Sequence, residues 1–374
     1  MSLAIPPRAL ACLESVADPR VNRRKQHKLS DILVIALCAF IAGCEGWVDV
    51  ELFGLAKKKW FEEFLELPNG IPSHDTFGRM FALLDPDQLT RVLRQFVQAV
   101  LGSLEGQTIA IDGKTLRRSG ESTTGKAALH LVSAWATECG VVLGQVATAD
   151  HSNEITAVPS LLQLLNVRGA TVTIDAMGCQ KAIAQQVRDQ GADYVLAVKG
   201  NQKNLEDAID FYMGRGHSNV PRSKVTTNEE NHGRTDKRTY TAMAAPKVVR
   251  SQWPDAQSIV RVCRETTDGE GKKTKEVRQF ISSLPANVKR LASAIRGHWG
   301  IENGLHWSLD VTFNEDQSRI RQGNAAENAA LLRRLSLSIL KQDTRYSDSL
   351  RCKRLRAGWQ TSALEHFVAI FAGN

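Results

Sequence analysis

The spacing of apolar residues predicts a helical first part of the chain. From residue 8 to about 101, apolar positions recur at helical intervals, most clearly over residues 29–41, 47–67 and 73–84. Ser30 and Ser73 stand where side-chain oxygens could cap the first and third of these helices. We therefore predict an all-helical N-terminal domain over residues 1–101.

After Gly106 the pattern changes to short apolar and β-branched runs that are typical of strands. Helical segments separate the later runs, so the order is strand, strand, strand, helix, strand, helix, strand. This order indicates a mixed sheet with helices packed on it, which is an α/β fold. The predicted strands are residues 108–111, 128–137, 141–148, 170–174 and 194–198, and the helices are 154–165 and 179–190.

A strongly charged segment at about residues 203–285 interrupts this alternation. Residues 259–262 and 277–282 resemble strands, and we interpret the segment as a partly β insertion. From Asn287 onward the pattern is helical again, most clearly over residues 325–341. Residues 102–374 are therefore predicted to form a second domain that carries this insertion.

Composition indicates an ordinary globular protein. Of 374 residues, 43% are hydrophobic and 24% charged, which argues against a disordered or collagen-like chain. Lys and Arg number 48 against 40 Asp and Glu, a net charge of +8 that permits nucleic acid as a partner. The seven cysteines form no Cys-x-x-Cys pair, so we expect reduced thiols and a cytoplasmic location.

One segment raises the alternative of a membrane protein. Residues 29–44 are apolar apart from Ser30 and Asp31 and follow a basic stretch. The run is shorter than the roughly 20 residues that cross a bilayer. It therefore favours a buried helix and a protein with no membrane partner.

Two acidic residues stand at the C-terminal ends of predicted strands. Asp112 follows the strand at 108–111, and Asp175 follows the strand at 170–174. An open sheet presents functional side chains at this end of its strands, and paired carboxylates suit a hard cation such as Mg²⁺. The simpler interpretation is that each Asp caps a turn or a helix. Both interpretations stay open on the pattern alone.

The densest group of chemical side chains covers residues 296–316. This segment contains two Trp, two His and four acidic residues. On a regular helix Trp299, Glu302 and His306 would lie on one face, so Glu302 becomes a third candidate acid.

Four collinear blocks resemble the ISAs1 family of insertion-sequence transposases, which includes the H-repeat-associated proteins and belongs with the IS4-like DDE transposases. The blocks read IAIDGK at 109–114, TIDAMG at 173–178, VKGNQ at 198–202 and HWGIEN at 298–303. The resemblance extends over essentially the whole chain. One departure is that the Tyr, Arg and Lys common around the glutamate of IS4-like enzymes are replaced here by Ile295, His298 and Leu309.

The resemblance implies an RNase H-like mixed sheet flanked by helices, with a β-rich insertion and the helical N-terminal domain binding DNA ends. It assigns Asp112, Asp175 and Glu302 as the catalytic and metal-binding acids, holding Mg²⁺ or Mn²⁺, with two ions expected. The implied function is a bacterial DNA transposase that cleaves insertion-sequence ends and transfers the strands by a DDE mechanism. Its partners would be double-stranded DNA, at the terminal inverted repeats and the target, and other copies of the chain on paired ends.

Basic residues near these motifs and in basic clusters are candidate contacts to DNA phosphates, and solvated surface cations are the simpler interpretation. Arg234 and Arg238 follow His232 in a further block that resembles the family. The helix at 73–84 is either a recognition helix, with His74, Thr76 and Arg79 facing a groove, or an ordinary core helix. The candidate DNA contacts are Arg23, Arg24, Lys25, Lys114, Lys199, Arg234, Arg238 and Arg319.

Two other functions remain as alternatives. One is an RNase H-like nuclease that hydrolyses DNA without joining strands. The other is a catalytically silent, transposase-derived DNA-binding protein. The presence of all three candidate acids favours an enzyme over the silent binder.

Overall fold

The computed structural model describes residues 7–21, 25–120, 127–148, 154–214, 220–231 and 233–371, so Arg23, Arg24 and His232 lie outside the described residues. Within these ranges the α-helices are α1 (Pro7–Glu14), α2 (Leu29–Ile41), α3 (Trp47–Ala56), α4 (Lys58–Phe61), α5 (His74–Leu83), α6 (Pro86–Leu101), α7 (Glu154–Leu164), α8 (Lys181–Asp189), α9 (Lys203–Met213), α10 (Lys247–Arg250), α11 (Val288–Ile301), α12 (Trp307–Val311), α13 (Ala325–Gln342), α14 (Leu350–Trp359) and α15 (Thr361–Phe371). The strands are β1 (Thr108–Thr115), β2 (His130–Ala136), β3 (Val141–Ala147), β4 (Thr171–Ile174), β5 (Asp193–Val198), β6 (Arg222–Asn231), β7 (Arg234–Ala244), β8 (Ser258–Thr267) and β9 (Lys273–Ser282).

The chain divides into two compact units that do not follow its order. Unit 1 consists of Met1–Ser103, Gly113–Ser152 and Glu302–Asn374, and unit 2 consists of Leu104–Asp112 and Asn153–Ile301. Three separate stretches of chain therefore build unit 1. The division into domains 1–101 and 102–374 describes order along the chain and stays a prediction.

Unit 2 is built on a mixed sheet. β1, β4 and β5 are neighbours and parallel, and β5 continues through antiparallel pairs to β9, β8, β7 and β6. β4 is buried along its whole length, which explains its continuous run of β-branched residues. The helices α8, α9 and α11 pack on this sheet. The predicted α/β class, with a mixed sheet flanked by helices, is confirmed.

The insertion contains four long strands, whereas the sequence indicated only two short ones. β6 and β7 were missed because charged residues occupy inward-facing positions of β7. Its buried positions alternate as a strand requires, and they include Asp236 and Arg238 as well as Tyr240 and Ala242. The prediction of a β-rich insertion is confirmed, and its extent was underestimated.

Unit 1 is centred on α13, which packs against α2, α5, α6, α14, α15 and β3. Every residue of α2 is buried, as expected for a core helix. Among the described residues, no helix combines the length and apolar character needed to cross a membrane. In the same unit, β2 and β3 form the predicted antiparallel hairpin.

Two details of the predicted helices differ in outcome. Ser73 caps α5, its side chain accepting a hydrogen bond from the backbone N–H of Thr76 at 3.4 Å. The predicted Ser30 cap is wrong: α2 begins at Leu29, as predicted, but Lys28 occupies the N-cap position, so Ser30 lies inside the helix and is buried. The helix predicted over 47–67 is also too long, because only α3 and α4 are helical there.

Candidate active site

The two candidate acids of unit 2 lie on neighbouring parallel strands. Asp175 follows β4 as predicted, but the predicted strand end at Ile111 is wrong, because β1 continues to Thr115 beside β2 after its pairing with β4 ends. The last paired residues of β1 and β4 are Ile111 and Ile174, and Asp112 and Asp175 follow them directly. Parallel strands in register bring the residues after such a pair to the same edge of the sheet. Both acids are half-buried. The structure thus places the first two candidate carboxylates on adjacent strands at one edge.

Asp175 also shapes the turn that follows β4. Its Oδ1 accepts hydrogen bonds from the backbone N–H groups of Met177 at 3.0 Å and Gly178 at 3.3 Å. A Cβ at Gly178 would lie 2.3 Å from Cγ2 of Ile174, so only glycine fits this turn. The turn-capping interpretation is therefore correct for Asp175. It does not exclude a second role, because among the described residues no hydrogen bond reaches Oδ2.

The last turns of α11 lie beside β4 in the same unit. Nδ1 of His298 is 3.0 Å from Oγ1 of Thr173, two residues before Asp175. Burial lowers the pKa of His298 to about 4, against the opposing charge of Asp175 and the hydrogen bond to Thr173. The imidazole is therefore neutral at physiological pH. Ile301 ends α11, and Glu302 follows it directly in the chain.

Trp299, next to His298, lies among three guanidinium groups. The Cζ atoms of Arg238, Arg278 and Arg296 are 5.4, 5.1 and 5.6 Å from the centre of its ring. These are cation–π distances, and they fix the end of α11 on the strands of the insertion. From the sequence, Trp299 was assigned no role beyond a shared helix face. The concentration of aromatic and basic residues around Trp299 in the sequence could have indicated such a role.

Glu302 begins a different kind of helix in unit 1. Residues Glu302–His306 form a π-helical segment, and Glu302 itself is exposed. Leu305 is buried, and a Cβ at Gly304 would lie 3.2 Å from the ring of Trp135. The wide π turn removes the regular spacing, so the prediction that Trp299, Glu302 and His306 share one face of a regular helix is wrong. π-helical turns occur frequently at functional sites.

The candidate DNA contacts separate into exposed and buried side chains. Lys199, Arg234 and Arg319 are exposed, and the exposed Lys25 lies 3.5 Å from a carboxylate oxygen of Asp18. Arg23 and Arg24 lie outside the described residues.

Lys114 and Arg238 are buried, and their charges are paired inside the protein. In unit 1, Nζ of Lys114 lies 2.8 Å from Asp310 and 2.9 Å from Asp316. In unit 2, Arg238 lies 2.9 Å from Glu229 and 3.2 Å from Asp236.

The helix proposed for groove recognition contributes to the core of unit 1. The side chains of Phe77, Met80, Phe81 and Leu84 are buried, which confirms the core stripe. His74 is exposed, and its Nδ1 is 2.6 Å from a carboxylate oxygen of Glu51. A contact of this helix with DNA stays a prediction.

The donor set of unit 2 suits a hard divalent cation. Carboxylate oxygens at one sheet edge are the ligands that Mg²⁺ and Mn²⁺ prefer. Within the described ranges, no three His, Cys, Asp or Glu side chains are grouped so as to bind a metal ion. Asp112 and Asp175 therefore supply two carboxylates, and Glu302 belongs to the other unit.

Models of two protein families match the chain. A DDE_Tnp_1-associated domain matches residues 10–97, and a transposase DDE domain matches residues 103–339. The chain belongs to the transposase DDE domain family. As a DDE transposase it is an enzyme of the polynucleotidyl-transferase and endonuclease class, and the resemblance to the H-repeat-associated proteins is confirmed by the relatives described next.

Two relatives from Escherichia coli match nearly the full length of this DDE transposase. The putative transposase YncI of strain O157:H7 is 38% identical, over 95% of this chain and 92% of its own. The H repeat-associated putative transposase YhhI of strain K12 is 37% identical, over 95% of this chain and 96% of its own. Among solved structures, a piggyBac transposase synaptic complex with hairpin DNA is 10% identical, with a TM-score of 0.46, over 98% of this chain and 79% of that one.

Proposed function

We propose that this DDE transposase cleaves DNA at the ends of an insertion sequence and joins the ends to target DNA. The proposed catalytic acids are Asp112, Asp175 and Glu302, in an RNase H-like catalytic domain. The observation that carries the proposal is the position of Asp112 and Asp175 at one edge of adjacent parallel strands, in a chain of this family. Two points support Glu302 as the third acid. The family resemblance assigns it, and it follows α11, whose His298 contacts Thr173 of β4.

The three carboxylates would hold Mg²⁺ or Mn²⁺, and two ions are expected. Bound divalent ions supply the charge that activates a water or a DNA 3′-hydroxyl and stabilises the leaving oxygen at phosphorus. Because phosphoryl transfer depends on position and charge neutralisation, the chain needs no nucleophilic Ser or Cys.

The side chains around the acids set their geometry. The backbone N–H groups of Met177 and Gly178 hold Oδ1 of Asp175, and among the described residues no hydrogen bond reaches Oδ2. His298 contacts Thr173 and is neutral, so it adds no positive charge to compete with a cation. The local structure thus favours a site whose negative charge comes from carboxylates alone.

Exposed basic residues would bind the phosphates of double-stranded DNA. Lys199 follows β5, which is parallel to β4, so it lies at the same edge of the sheet as Asp175. Lys25, Arg234 and Arg319 are the other exposed candidates, and Arg23 and Arg24 extend the N-terminal basic stretch. We further propose that the helical N-terminal domain binds the terminal inverted repeats, and that several copies of the chain act together on paired ends in the bacterial cytoplasm.

The test is DNA cleavage and joining by the purified protein on a labelled fragment that carries the terminal repeats of its element, with Mn²⁺. Asp112→Asn, Asp175→Asn and Glu302→Gln should each abolish both reactions while leaving DNA binding in place. Asp189→Asn is the matched control, because Asp189 is exposed at the end of α8 in unit 2, and it should react as the wild type does.

Each outcome of this test separates the candidate functions. Equal cleavage by the wild type and the three variants would show that the assigned acids are wrong. Cleavage without joining would identify a nuclease, and salt-sensitive DNA binding without cleavage would identify a silent binder. The mass of the protein–DNA complex, measured with one and with two ends present, tests the proposed multimer.

A further inference from the structure

Lys114 lies two residues after Asp112, on the part of β1 that belongs to unit 1. Its side chain is only 8% exposed, although lysine is among the residues least often buried. The ammonium group lies 2.8 Å from Oδ1 of Asp310 and 2.9 Å from Oδ1 of Asp316. A lysine that is buried between two carboxylates is not available to a DNA phosphate.

The two aspartates lie on the segment that follows Glu302. Asp310 belongs to α12, which begins directly after the π-helical residues Glu302–His306. Asp316 lies in the short 3₁₀ turn Glu315–Gln317 that comes next. Lys114 therefore ties the end of β1 to both parts of this segment.

Among the described residues, one other cation is paired with these two aspartates. Asp316 also contacts Arg117 at 3.1 Å, but the side chain of Arg117 is 81% exposed. Burial raises the pKa of Asp310, and the hydrogen bond and charge of Lys114 oppose that rise. Without the ammonium, two partly buried carboxylates would face each other, and α12 would lose its ionic attachment to β1.

We propose that Lys114 is a positioning residue that holds the segment following Glu302 on the part of β1 that directly follows Asp112. This inference rests on the proposed function of those two acids. Lys114 contacts neither the DNA nor the metal, and it acts through Asp310 and Asp316. Its loss should therefore change how well the acids bind metal, and should leave DNA affinity unchanged.

The experiment measures single-turnover cleavage of a terminal-repeat DNA fragment as a function of Mn²⁺ concentration. Groups that orient metal ligands typically change metal affinity or activity by 10- to 100-fold, so Lys114→Met should raise the Mn²⁺ concentration for half-maximal cleavage at least about tenfold. Lys114→Arg, which keeps the charge, should recover most of this loss. Lys247→Met is the matched control, because Lys247 is exposed on α10, and it should behave as the wild type does.

DNA binding, measured without metal, distinguishes positioning from phosphate contact. The dissociation constant of Lys114→Met should stay within about twofold of the wild-type value, since a buried, paired lysine adds little to phosphate binding. A loss of DNA affinity as large as the loss of cleavage would overturn the inference. An unchanged Mn²⁺ requirement in folded Lys114→Met would also overturn it.

A second variant covers the case in which Lys114→Met fails to fold. Asp316→Asn keeps Lys114 paired with Asp310, and it should raise the Mn²⁺ requirement by about threefold, less than a full loss of an orienting group. An unchanged requirement would count against the inference. If wild-type protein shows no metal-dependent cleavage, the proposed function itself fails. If Asp112→Asn is inactive and Lys114→Met is normal, only the role of Lys114 fails.

Discussion

The two units bury charged side chains in different ways. In unit 1, Arg334 and Glu315 are both fully buried and meet in one ion pair of 2.8 Å. In unit 2, the carboxylate of Asp236 accepts hydrogen bonds from Arg264, Arg238 and Thr266. In unit 1 the charge of Arg334 therefore depends on one carboxylate, whereas in unit 2 the charges around Asp236 share a network along the strands of the insertion.

This difference predicts different sensitivities. A fully buried pair leaves an uncompensated charge when either partner is removed, so its loss is severe. In the network Asp236 keeps Arg238 and Thr266 when Arg264 is lost, and Arg238 keeps Glu229 when Asp236 is lost.

The hydrogen bond from Arg264 is the largest cause of the low pKa of Asp236. Burial opposes this effect, but the pKa stays well below its usual range. Charges within the network are therefore bound to each other, whereas Arg234 at its margin lies 3.6 Å from Asp236 and keeps a largely exposed side chain.

The largest effect is expected from Glu315→Gln in unit 1. This change leaves the guanidinium of Arg334 buried without its anion, and breaking such a pair lowers the free energy of unfolding by about 3 to 5 kcal/mol. Urea denaturation followed by circular dichroism measures the loss. Glu62→Gln is the control, because Glu62 is half-exposed and paired only with Lys58, and its effect should stay below about 1 kcal/mol.

A double variant sharpens this prediction. Glu315→Leu combined with Arg334→Met removes both charges, and apolar replacement of a whole buried pair is often neutral or stabilising. The double variant should therefore be more stable than Glu315→Gln alone. If Glu315→Gln and the double variant lose the same free energy of unfolding, the two side chains stabilise unit 1 by packing and not by charge. The contrast between the units would then disappear.

The next effect depends on pH and concerns Glu327 on α13. Burial, and then the charges of Asp87 and Asp85, raise its pKa from 4.5 to about 7. At a pH between these two values the carboxyl is protonated in the folded protein and ionised in the unfolded chain. The free energy of unfolding is therefore highest below pH 4.5, and it falls as the pH rises through about 7. Glu327→Gln, which cannot ionise, should lie within about 1 kcal/mol of the wild type at pH 5.

At pH 8 the free energy of unfolding of the same variant should exceed that of the wild type by about 2 to 3 kcal/mol. The estimate follows because a pKa difference of one corresponds to about 1.36 kcal/mol. Urea denaturation at the two pH values measures the difference, and Glu62→Gln again serves as the control. A constant difference between pH 5 and pH 8 would show that Glu327 is ionised in the folded protein.

The fold was predictable where apolar periodicity was strong. The fully buried α2 and the core strands β4 and β5 agree with their patterns within one or two residues. β6 and β7 were not predictable from hydrophobicity, because their inward positions include charges that only the neighbouring strands satisfy. Asp236, for example, finds Arg264 and Thr266 on β8, far away in the chain. Such pairing depends on tertiary structure, and no local pattern encodes it.

The site was predictable in part for the same reason. Asp175 was identified because the end of β4 can be located from sequence. Asp112 lies inside β1, whose last residues are too polar to be recognised as strand, but the register of β1 and β4 still places both acids directly after the last residue pair. The π-helical turn at Glu302 was not predictable, since its residues fit an α-helix equally well. The burial of Lys114 was also invisible, because its partners Asp310 and Asp316 lie about 200 residues away.

The smallest and most specific effect concerns two arginines of β7. Arg234 and Arg238 lie four residues apart, but the side chain of Arg234 is 52% exposed and that of Arg238 is 5% exposed. If exposed basic residues at the margin of the network bind phosphate, Arg234→Ala should reduce the slope of log DNA affinity against log salt concentration by about 1. The stability of this variant should be unchanged. Arg238→Ala should instead lower the urea midpoint.

Arg238→Ala should also change the fluorescence of Trp299, because its guanidinium lies 5.4 Å from the ring. The salt slope of this variant should stay that of the wild type as long as it is folded. DNA binding between 50 and 200 mM salt, a range in which phosphate contacts change affinity steeply, measures both slopes. If Arg238→Ala changes the slope and Arg234→Ala does not, the buried network itself meets DNA. The separation between internally paired and DNA-facing charges in unit 2 would then be wrong.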